Sequence, residues 1–151
     1  MSEDKNIINK YNNGKIYTIR CKEDNNLIYI GSTVQPLYKR WHQHKLKYNN
    51  ENDKAYNFLL YVKMREIGID SFYIELYKIF KCDCIEELLQ QEGQIIREIG
   101  NLNKKIEGRT LKEYYEDNKD KYENYRKENI ENIKDYNKKY YEDNKTKIKN
   151  K

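Results

Sequence analysis

The sequence predicts an α+β fold: a small three-stranded antiparallel sheet flanked by helices, followed by a charged helical tail. Residues up to about 108 alternate between segments of period two, typical of strands, and segments of helical period. After Arg109 apolar residues become sparse, and Lys, Glu, Asp and Asn dominate. We therefore expect a globular domain over 1–108 and a repetitive tail, helical or partly disordered, over 109–151.

The elements of the globular domain are predicted in the order β-β-α-α-β-α. Strands are expected where β-branched and aromatic residues alternate with polar ones, and the first two form a hairpin around an acidic, Asn-rich turn. Pro36 suits the first turn of a helix, while Gly68 and Gly100 mark the ends of two others. The predicted strands are 15–21, 27–31 and 72–80, and the predicted helices are 36–47, 55–67 and 85–99.

The tail carries an internal repeat. Tyr-Tyr-Glu-Asp-Asn-Lys occurs at 114–119 and again at 140–145. Its aliphatic and tyrosine residues recur mainly every three or four positions, which indicates a helical stripe. The stripe is poor in Leu, so a tight coiled coil is not expected. We predict one long solvated helix or a frayed pair of helices, with disorder in the last dozen residues.

Composition excludes some classes of protein and leaves others open. Lys plus Arg total 30 against 25 for Asp plus Glu, a net charge of +5 that is compatible with a polyanionic partner without identifying one. No apolar run is long enough for a membrane span, and residues 1–10 do not resemble a secretory signal. Cys21, Cys82 and Cys84 fit no zinc spacing. We expect an intracellular protein with free thiols and no membrane partner.

The third predicted helix contains an acidic residue within an apolar stripe. Ile85, Leu88, Ile95 and Ile99 define one face, and Glu92 falls in the middle of it. A buried, unpaired carboxylate is costly, so Glu92 should be paired, bound to a metal, or placed at the mouth of a cleft. A buried salt bridge is the structural alternative to metal binding or catalysis.

The first predicted helix places Arg40 and His44 four residues apart, so both project from one side. A guanidinium gives planar, bidentate contacts to phosphate oxygens, which makes this pair a candidate phosphate site. A simply solvated basic helix is the alternative. His42 and His44 point to different sides, so they are not expected to share a metal.

The hairpin carries Tyr17 on one strand and Tyr29 on the other, with Gly31 and Ser32 directly after Tyr29 and Ile30. Two tyrosines facing across a hairpin commonly form a cross-strand aromatic pair. A glycine after a strand can also let a substrate backbone come close. The sequence leaves both interpretations open.

Together these segments resemble the GIY-YIG nuclease family. The two short family motifs correspond to Lys15-Ile16-Tyr17 and Tyr29-Ile30-Gly31. The stretch from Gly31 to His44 is similar to the strand-to-helix segment of the family, and the region around Glu92 is similar to its metal-binding helix. Asn103 takes the place of the family asparagine. The resemblance covers about residues 13–105, and it departs from the family where Lys15 replaces the first glycine.

The resemblance implies a metal-dependent DNA endonuclease that uses one divalent ion, Mg²⁺ or Mn²⁺, held by Glu92. Arg40 would contact the scissile phosphate, while Tyr17, helped by Tyr29 and His44, would deprotonate or orient the attacking water. Because a tyrosine ordinarily has a pKa near 10, nearby cations would need to lower the pKa of Tyr17. The implied substrate contacts are Lys15, Gly31, Ser32 and Asn103.

Two other functions remain open from the sequence. The first is a catalytically weak or inactive nucleic-acid-binding module of the same fold, favoured by Lys15 in the first motif. The second gives the tail the main role, through a partner protein or self-association. The scarcity of other DNA-binding signals favours low sequence specificity, structure-specific cutting, or targeting by a partner.

Overall fold

A computed structural model describes residues 9–149 of the chain. The chain divides by its internal contacts into two compact units, Met1–Arg109 and Thr110–Lys151. The described part of the first unit contains a sheet packed with helices, and that of the second contains helices alone.

The first unit has the predicted α+β class and element order. Its elements are β1 (Lys15–Cys21), β2 (Ile28–Thr33), α1 (Leu37–Asn49), α2 (Leu59–Ile67), β3 (Phe72–Ile79) and α3 (Ile85–Ile99), with short 3-10 turns at Lys10–Asn13 and Ile69–Ser71. The bounds of β1 and α3 are those predicted. These two elements have the clearest sequence signals: a period-two pattern in β1 and a long apolar stripe in α3.

The three strands form an antiparallel sheet in the order β2-β1-β3. β1 lies in the centre and therefore has a core on both of its faces. On one face Tyr17, Ile19 and Cys21 pack with residues of α2. On the other face Ile16 packs with apolar residues of α3. The sheet is thus enclosed between two helical layers, and side chains on opposite faces of β1 face different helices.

β2 differs from its predicted range because the preceding turn reaches further than expected. The Leu27 amide donates to the Asp24 carbonyl at 3.1 Å, which assigns Leu27 to the turn. At the other end Ser32 and Thr33 pair with β1, so the strand runs two residues past Gly31. Sequence alternation stops at the glycine, but main-chain pairing with β1 does not.

α2 begins at Leu59, so the predicted start at residue 55 was wrong. Residues 51–57 form turns instead. The Asn50 carboxamide accepts from the Asn52 amide at 3.1 Å, and the Asp53 carboxylate accepts from the Ala55 amide at 2.7 Å. Such short-range bonds from Asn and Asp satisfy the main chain without helix, so they delay helix formation.

The described tail forms three helices, where a single helix or a frayed pair was predicted. They are α4 (Leu111–Asp117), α5 (Lys119–Glu128) and α6 (Ile130–Lys149). The breaks fall at Asn118 and Asn129, whose side-chain amides donate to the carbonyls four residues earlier at 2.7 and 2.9 Å. Helix α6 extends to Lys149, whereas disorder of the last dozen residues stays a prediction; residues 150–151 lie outside the described range.

Two predictions from composition concern the whole chain. Cys21, Cys82 and Cys84 are free thiols in the structure. Within residues 9–149, no helix combines the length and the apolarity needed to cross a bilayer.

Candidate active site

Tyr17 lies on the sheet face that is covered by α1 and α2, and its side chain is fully buried. Its partner in the pairing of β1 with β2 is Gly31. A Cβ atom at position 31 would overlap the hydroxyl and the ring of Tyr17. Glycine at this position therefore leaves room for the tyrosine ring to lie across the neighbouring strand. A substrate contact at Gly31 stays a prediction.

The Tyr17 hydroxyl is the centre of a hydrogen-bonded cluster with α1. Arg40 Nε donates to this hydroxyl at 2.8 Å, and His44 Nε2 lies 2.8 Å from it. His44 is buried, with 3% of its surface exposed, so it is not part of a simply solvated helix. His42 points to solvent, as its two-residue offset from His44 predicted. The structure therefore brings together three of the predicted site residues.

Tyr61 of α2 is a member of this cluster that sequence reasoning missed. Its hydroxyl lies 2.8 Å from His44 Nδ1, and 3% of its surface is exposed. Both ring nitrogens of His44 are thus engaged by buried tyrosine hydroxyls. In the sequence Tyr61 stands beside Leu60 on the apolar face of a helix, where a tyrosine signals packing. Only the contact between helices reveals its polar role.

Tyr29 borders the cluster without lying directly opposite Tyr17. In the strand pairing Tyr29 faces Ile19, so the two tyrosines are diagonal neighbours. The Tyr29 ring centroid is 6.5 Å from that of Tyr17 and 5.6 Å from that of His44, which it meets edge-on. The simple cross-strand pair considered from the sequence is replaced by a cluster of three rings.

Glu92 of α3 lies beside the other face of the hairpin. The Ser32 hydroxyl donates to Glu92 Oε2 at 2.5 Å. Glu92 is 6% exposed, which confirms the burial predicted from its helical stripe. Among residues 9–149 no Lys, Arg or His forms an ion pair with it. The alternative of a buried salt bridge is therefore wrong within the described chain.

Burial controls the protonation of the Tyr17 cluster. It raises the pKa of Tyr17 to about 12, although Arg40 acts in the opposite direction. It lowers the pKa of His44 to about 3, and the positive charges of Arg40 and Lys47 add to this effect. At neutral pH both side chains are uncharged. Arg40 lowers the pKa of Tyr17 as predicted, but desolvation outweighs it, and the further lowering of this pKa by a bound ion stays a prediction.

The Glu92 carboxyl has a raised pKa, so its charged form is disfavoured. Burial raises its pKa to about 7, and the nearby Glu107 carboxylate raises it further, while the Ser32 hydrogen bond and Arg40 act to lower it. A buried carboxylate that titrates near neutrality gains from a positive ion that replaces the missing cationic partner.

This pKa predicts a pH effect on stability that Glu92→Gln should remove. Between the ordinary pKa of 4.5 and the folded value of about 7, the folded protein binds more protons than the unfolded chain. The free energy of unfolding therefore falls as pH rises through this range. Without divalent ions, the stability advantage of Glu92→Gln over wild type should grow by about 3 kcal/mol from the bottom to the top of the range.

The variant Glu92→Gln has to be compared with wild type because His44 changes the free energy of unfolding with pH in the opposite direction. Its contribution is present above its ordinary pKa of 6.5 and is lost as pH falls towards about 3. Urea melts in EDTA measure the difference, and Glu98→Gln on the exposed side of α3 is the matched control. A difference between Glu92→Gln and wild type that stays constant with pH would contradict a raised pKa.

A cleft of about 220 Å³ joins the two parts of the site. Ser32, the partner of Glu92, and Arg40, the partner of Tyr17, both line it. Lys10, Tyr11, Gln35 and Gln43 also line the cleft and were not predicted from the sequence. This cleft is large enough for a phosphate group and is bordered by a guanidinium and a hydroxyl that can contact one.

Glu92 fits one kind of metal site. Within residues 9–149, no cluster of three or more His, Cys, Asp or Glu could form a full protein cage for an ion. Magnesium commonly binds through one or two carboxylates and completes its octahedral shell with water and substrate phosphate. A single buried carboxylate, with one oxygen bonded to Ser32 and no cationic partner within the described chain, matches that mode of binding.

Lys15 and Asn103 are engaged by the main chain. Lys15 Nζ donates to the Asn13 carbonyl at 2.8 Å. The Asn103 carboxamide accepts from the Ile30 amide at 3.0 Å and donates to the Ile30 carbonyl at 2.7 Å, as a neighbouring strand would. Asn103 therefore completes the open edge of β2 between Tyr29 and Gly31. Substrate contacts by these two residues stay predictions.

Comparison with known proteins identifies the family of the chain. The GIY-YIG catalytic domain matches residues 13–107, a range that contains every predicted site residue. The chain belongs to the GIY-YIG family, whose domain has a nuclease-type fold.

A similar viral protein is the MSV199 domain-containing protein 146R of Invertebrate iridescent virus 6, which is 36% identical over 90 residues. The match covers 60% of this chain and 35% of the viral protein, so the chain spans about a third of that relative. No solved structure matches the chain.

Proposed function

We propose that the protein is a DNA endonuclease that hydrolyses phosphodiester bonds with one divalent ion, Mg²⁺ or Mn²⁺, held by Glu92. The observation that carries this proposal is the Tyr17 hydroxyl, bonded to both Arg40 and His44, together with a cleft that is lined by Arg40 and by Ser32, the partner of Glu92. Family membership supports a nuclease function. The geometry of the site supports Tyr17, Arg40 and Glu92 as its functional residues.

Arg40 binds the scissile phosphate in this mechanism. Its Nε is committed to Tyr17 and its Nη1 donates to Gln43 at 3.0 Å, so the guanidinium is held in place before the substrate arrives. A preorganised cation costs little reorganisation when charge develops on the phosphate oxygens. Ser32, which lines the cleft, holds the Glu92 carboxylate by a hydrogen bond.

Tyr17 orients the attacking water and, after releasing its own hydroxyl proton to solvent, accepts a proton from that water. Its pKa of about 12 means that it keeps its own proton until positive charge enters the site. A divalent ion held by Glu92 would supply that charge and would also offset charge on the phosphate oxygens. His44 is neutral, and with hydrogen on Nδ1 it donates a hydrogen bond to Tyr61 and accepts one from the Tyr17 hydroxyl at Nε2. His44 and Tyr61 are therefore positioning residues, which hold the hydroxyl of Tyr17 in one orientation.

Cleavage by the purified full-length chain tests this function. We expect nicking or cutting of DNA in Mg²⁺ or Mn²⁺, and none in EDTA, on a panel of plasmid, mismatched, flap and branched substrates. The panel is required because the site has few groups that could read bases. Cleavage that persists unchanged in EDTA would contradict a metal-dependent mechanism.

A catalytically weak or inactive DNA-binding module is the second candidate. The complete burial of Tyr17 favours it, because a buried hydroxyl with two protein partners has little room for a water. This candidate predicts salt-sensitive DNA binding with no cleavage of any substrate on the panel in either metal.

A further inference from the structure

One helix carries basic residues without any acidic ones. Residues 25–50 contain no Asp or Glu, although the chain has 25 of them. The same stretch holds Lys39, Arg40, Lys45 and Lys47, so it carries +4 of the total of +5. All four lie on α1. A helix with this charge has a strong electrostatic preference for a polyanion.

The outward side of α1 forms a groove of about 740 Å³. It is lined by Gln35, Tyr38, Lys39, Trp41, His42 and Lys45, among others, and none of its lining residues is acidic. The groove is therefore basic and aromatic, which is the combination that nucleic-acid strands bind.

The groove is continuous with the candidate active site. Gln35 and Gln43 line both the groove and the cleft that contains Arg40 and Ser32. Gln43 accepts from Arg40 Nη1 at 3.0 Å and donates to Gln35 at 3.2 Å. A strand whose phosphate lies against Arg40 can thus continue past the two glutamines into the groove.

The aromatic groups of the groove distinguish between kinds of DNA. Tyr38 is 70% exposed although it is a large aromatic residue beside the site. Trp41 is partly buried, and Lys45 Nζ lies 5.6 Å from its ring centroid. Aromatic side chains stack on unpaired bases, because the faces of such bases are accessible. A fully paired duplex keeps its bases stacked inside and exposes mainly its phosphates. The exposed Tyr38 ring therefore favours an unpaired nucleotide.

We propose that the outward side of α1 binds a DNA strand that carries unpaired nucleotides next to the scissile phosphate. Lys39 and Lys45 contact its phosphates, and Tyr38 stacks on an unpaired base. The inference rests on the proposed nuclease function for the class of ligand, and it names the substrate class as structure-specific DNA.

Binding of the full-length chain to labelled DNA in EDTA tests this inference without cleavage. The probes are a fully paired duplex and the same duplex with an unpaired bulge. Tyr38→Ala should weaken binding to bulged DNA by about tenfold and change binding to the paired duplex by less than about twofold. In Lys39→Ala/Lys45→Ala the slope of log affinity against log salt should be about 1.4 to 1.8 smaller for both probes.

Matched controls lie away from the groove. Tyr77→Ala removes a 44% exposed tyrosine from β3, and Lys22→Ala/Lys81→Ala removes the same charge from other surfaces. Equal losses in the Tyr38 and Tyr77 variants, or equal losses on paired and bulged DNA with Tyr38→Ala, would overturn the inference. So would a wild-type chain that binds neither probe.

The outcomes for the groove and for the nuclease function are separable. If wild type cleaves DNA in Mg²⁺ and Tyr38→Ala binds and cleaves bulged DNA as wild type does, the groove is wrong and the nuclease function stands. If bulged DNA binds as predicted but no substrate is cleaved, the groove is supported and the nuclease function fails.

Discussion

Glu92→Gln is expected to lower the magnesium-dependent cleavage rate by about a thousandfold, because it removes the buried carboxylate that is proposed to hold the ion. Glutamine keeps the shape of the side chain and can still accept the Ser32 hydrogen bond. The folded protein should be at least as stable as wild type at pH 8, because a charge that is costly to bury has been removed. Cleavage rates and urea melts of the same preparation measure both effects.

Glu107→Gln is the matched control for this experiment. Glu107 is close enough to raise the pKa of Glu92, but its side chain is 27% exposed and paired with Lys105 at 3.1 Å. Its loss should leave most of the activity, because it does not hold the ion. Calorimetric titration with Mn²⁺ should detect binding to Glu107→Gln and much weaker binding to Glu92→Gln. A similar loss of activity in both variants would contradict a single metal-binding carboxylate.

Tyr17→Phe is expected to lower the cleavage rate by about a hundredfold or more, since it removes the group that orients the water and accepts its proton. The phenylalanine ring still fits across Gly31, so the fold should persist. Arg40 Nε and His44 Nε2 lose their shared partner, which should lower the free energy of unfolding by about 1–3 kcal/mol. Rates at saturating substrate, compared with melts, separate the loss of chemistry from the loss of stability.

Tyr61→Phe provides the comparison. It removes an equally buried hydroxyl from the other nitrogen of His44, so its cost in stability should be similar. Its effect on the rate should be clearly smaller, because Tyr61 acts through His44. Equal rate losses in the two variants would mean that the Tyr17 hydroxyl only supports the structure, and that the proposed proton acceptor is wrong.

The fold was predictable wherever one local signal had no competitor. β1 has a period-two pattern over most of its length and α3 has a long apolar stripe, and both have the predicted bounds. Predictions were wrong where polar side chains compete for the main chain. Asn50 and Asp53 hold turns before α2, and Asn118 and Asn129 divide the tail. Composition shows that such residues are present but not which main-chain group each will bind.

The candidate site was predictable to the extent that its chemistry depends on spacing along one element. The four-residue spacing of Arg40 and His44 places both side chains on one side of a helix, and an acid within an apolar stripe must be buried, as Glu92 is. These conclusions follow from the periodicity of a helix alone.

Contacts between different helices and strands could not be predicted from the sequence and are seen only in the folded chain. Packing of α2 against α1 brings Tyr61 to His44, and the register of β2 places Gly31 beneath the Tyr17 ring. The protonation of the cluster was also decided there, because burial outweighs the charge of Arg40 and leaves Tyr17 with a pKa of about 12. Helical and strand periods act over a few residues and can be inferred from a sequence, whereas desolvation depends on every element that surrounds a group and exists only after folding.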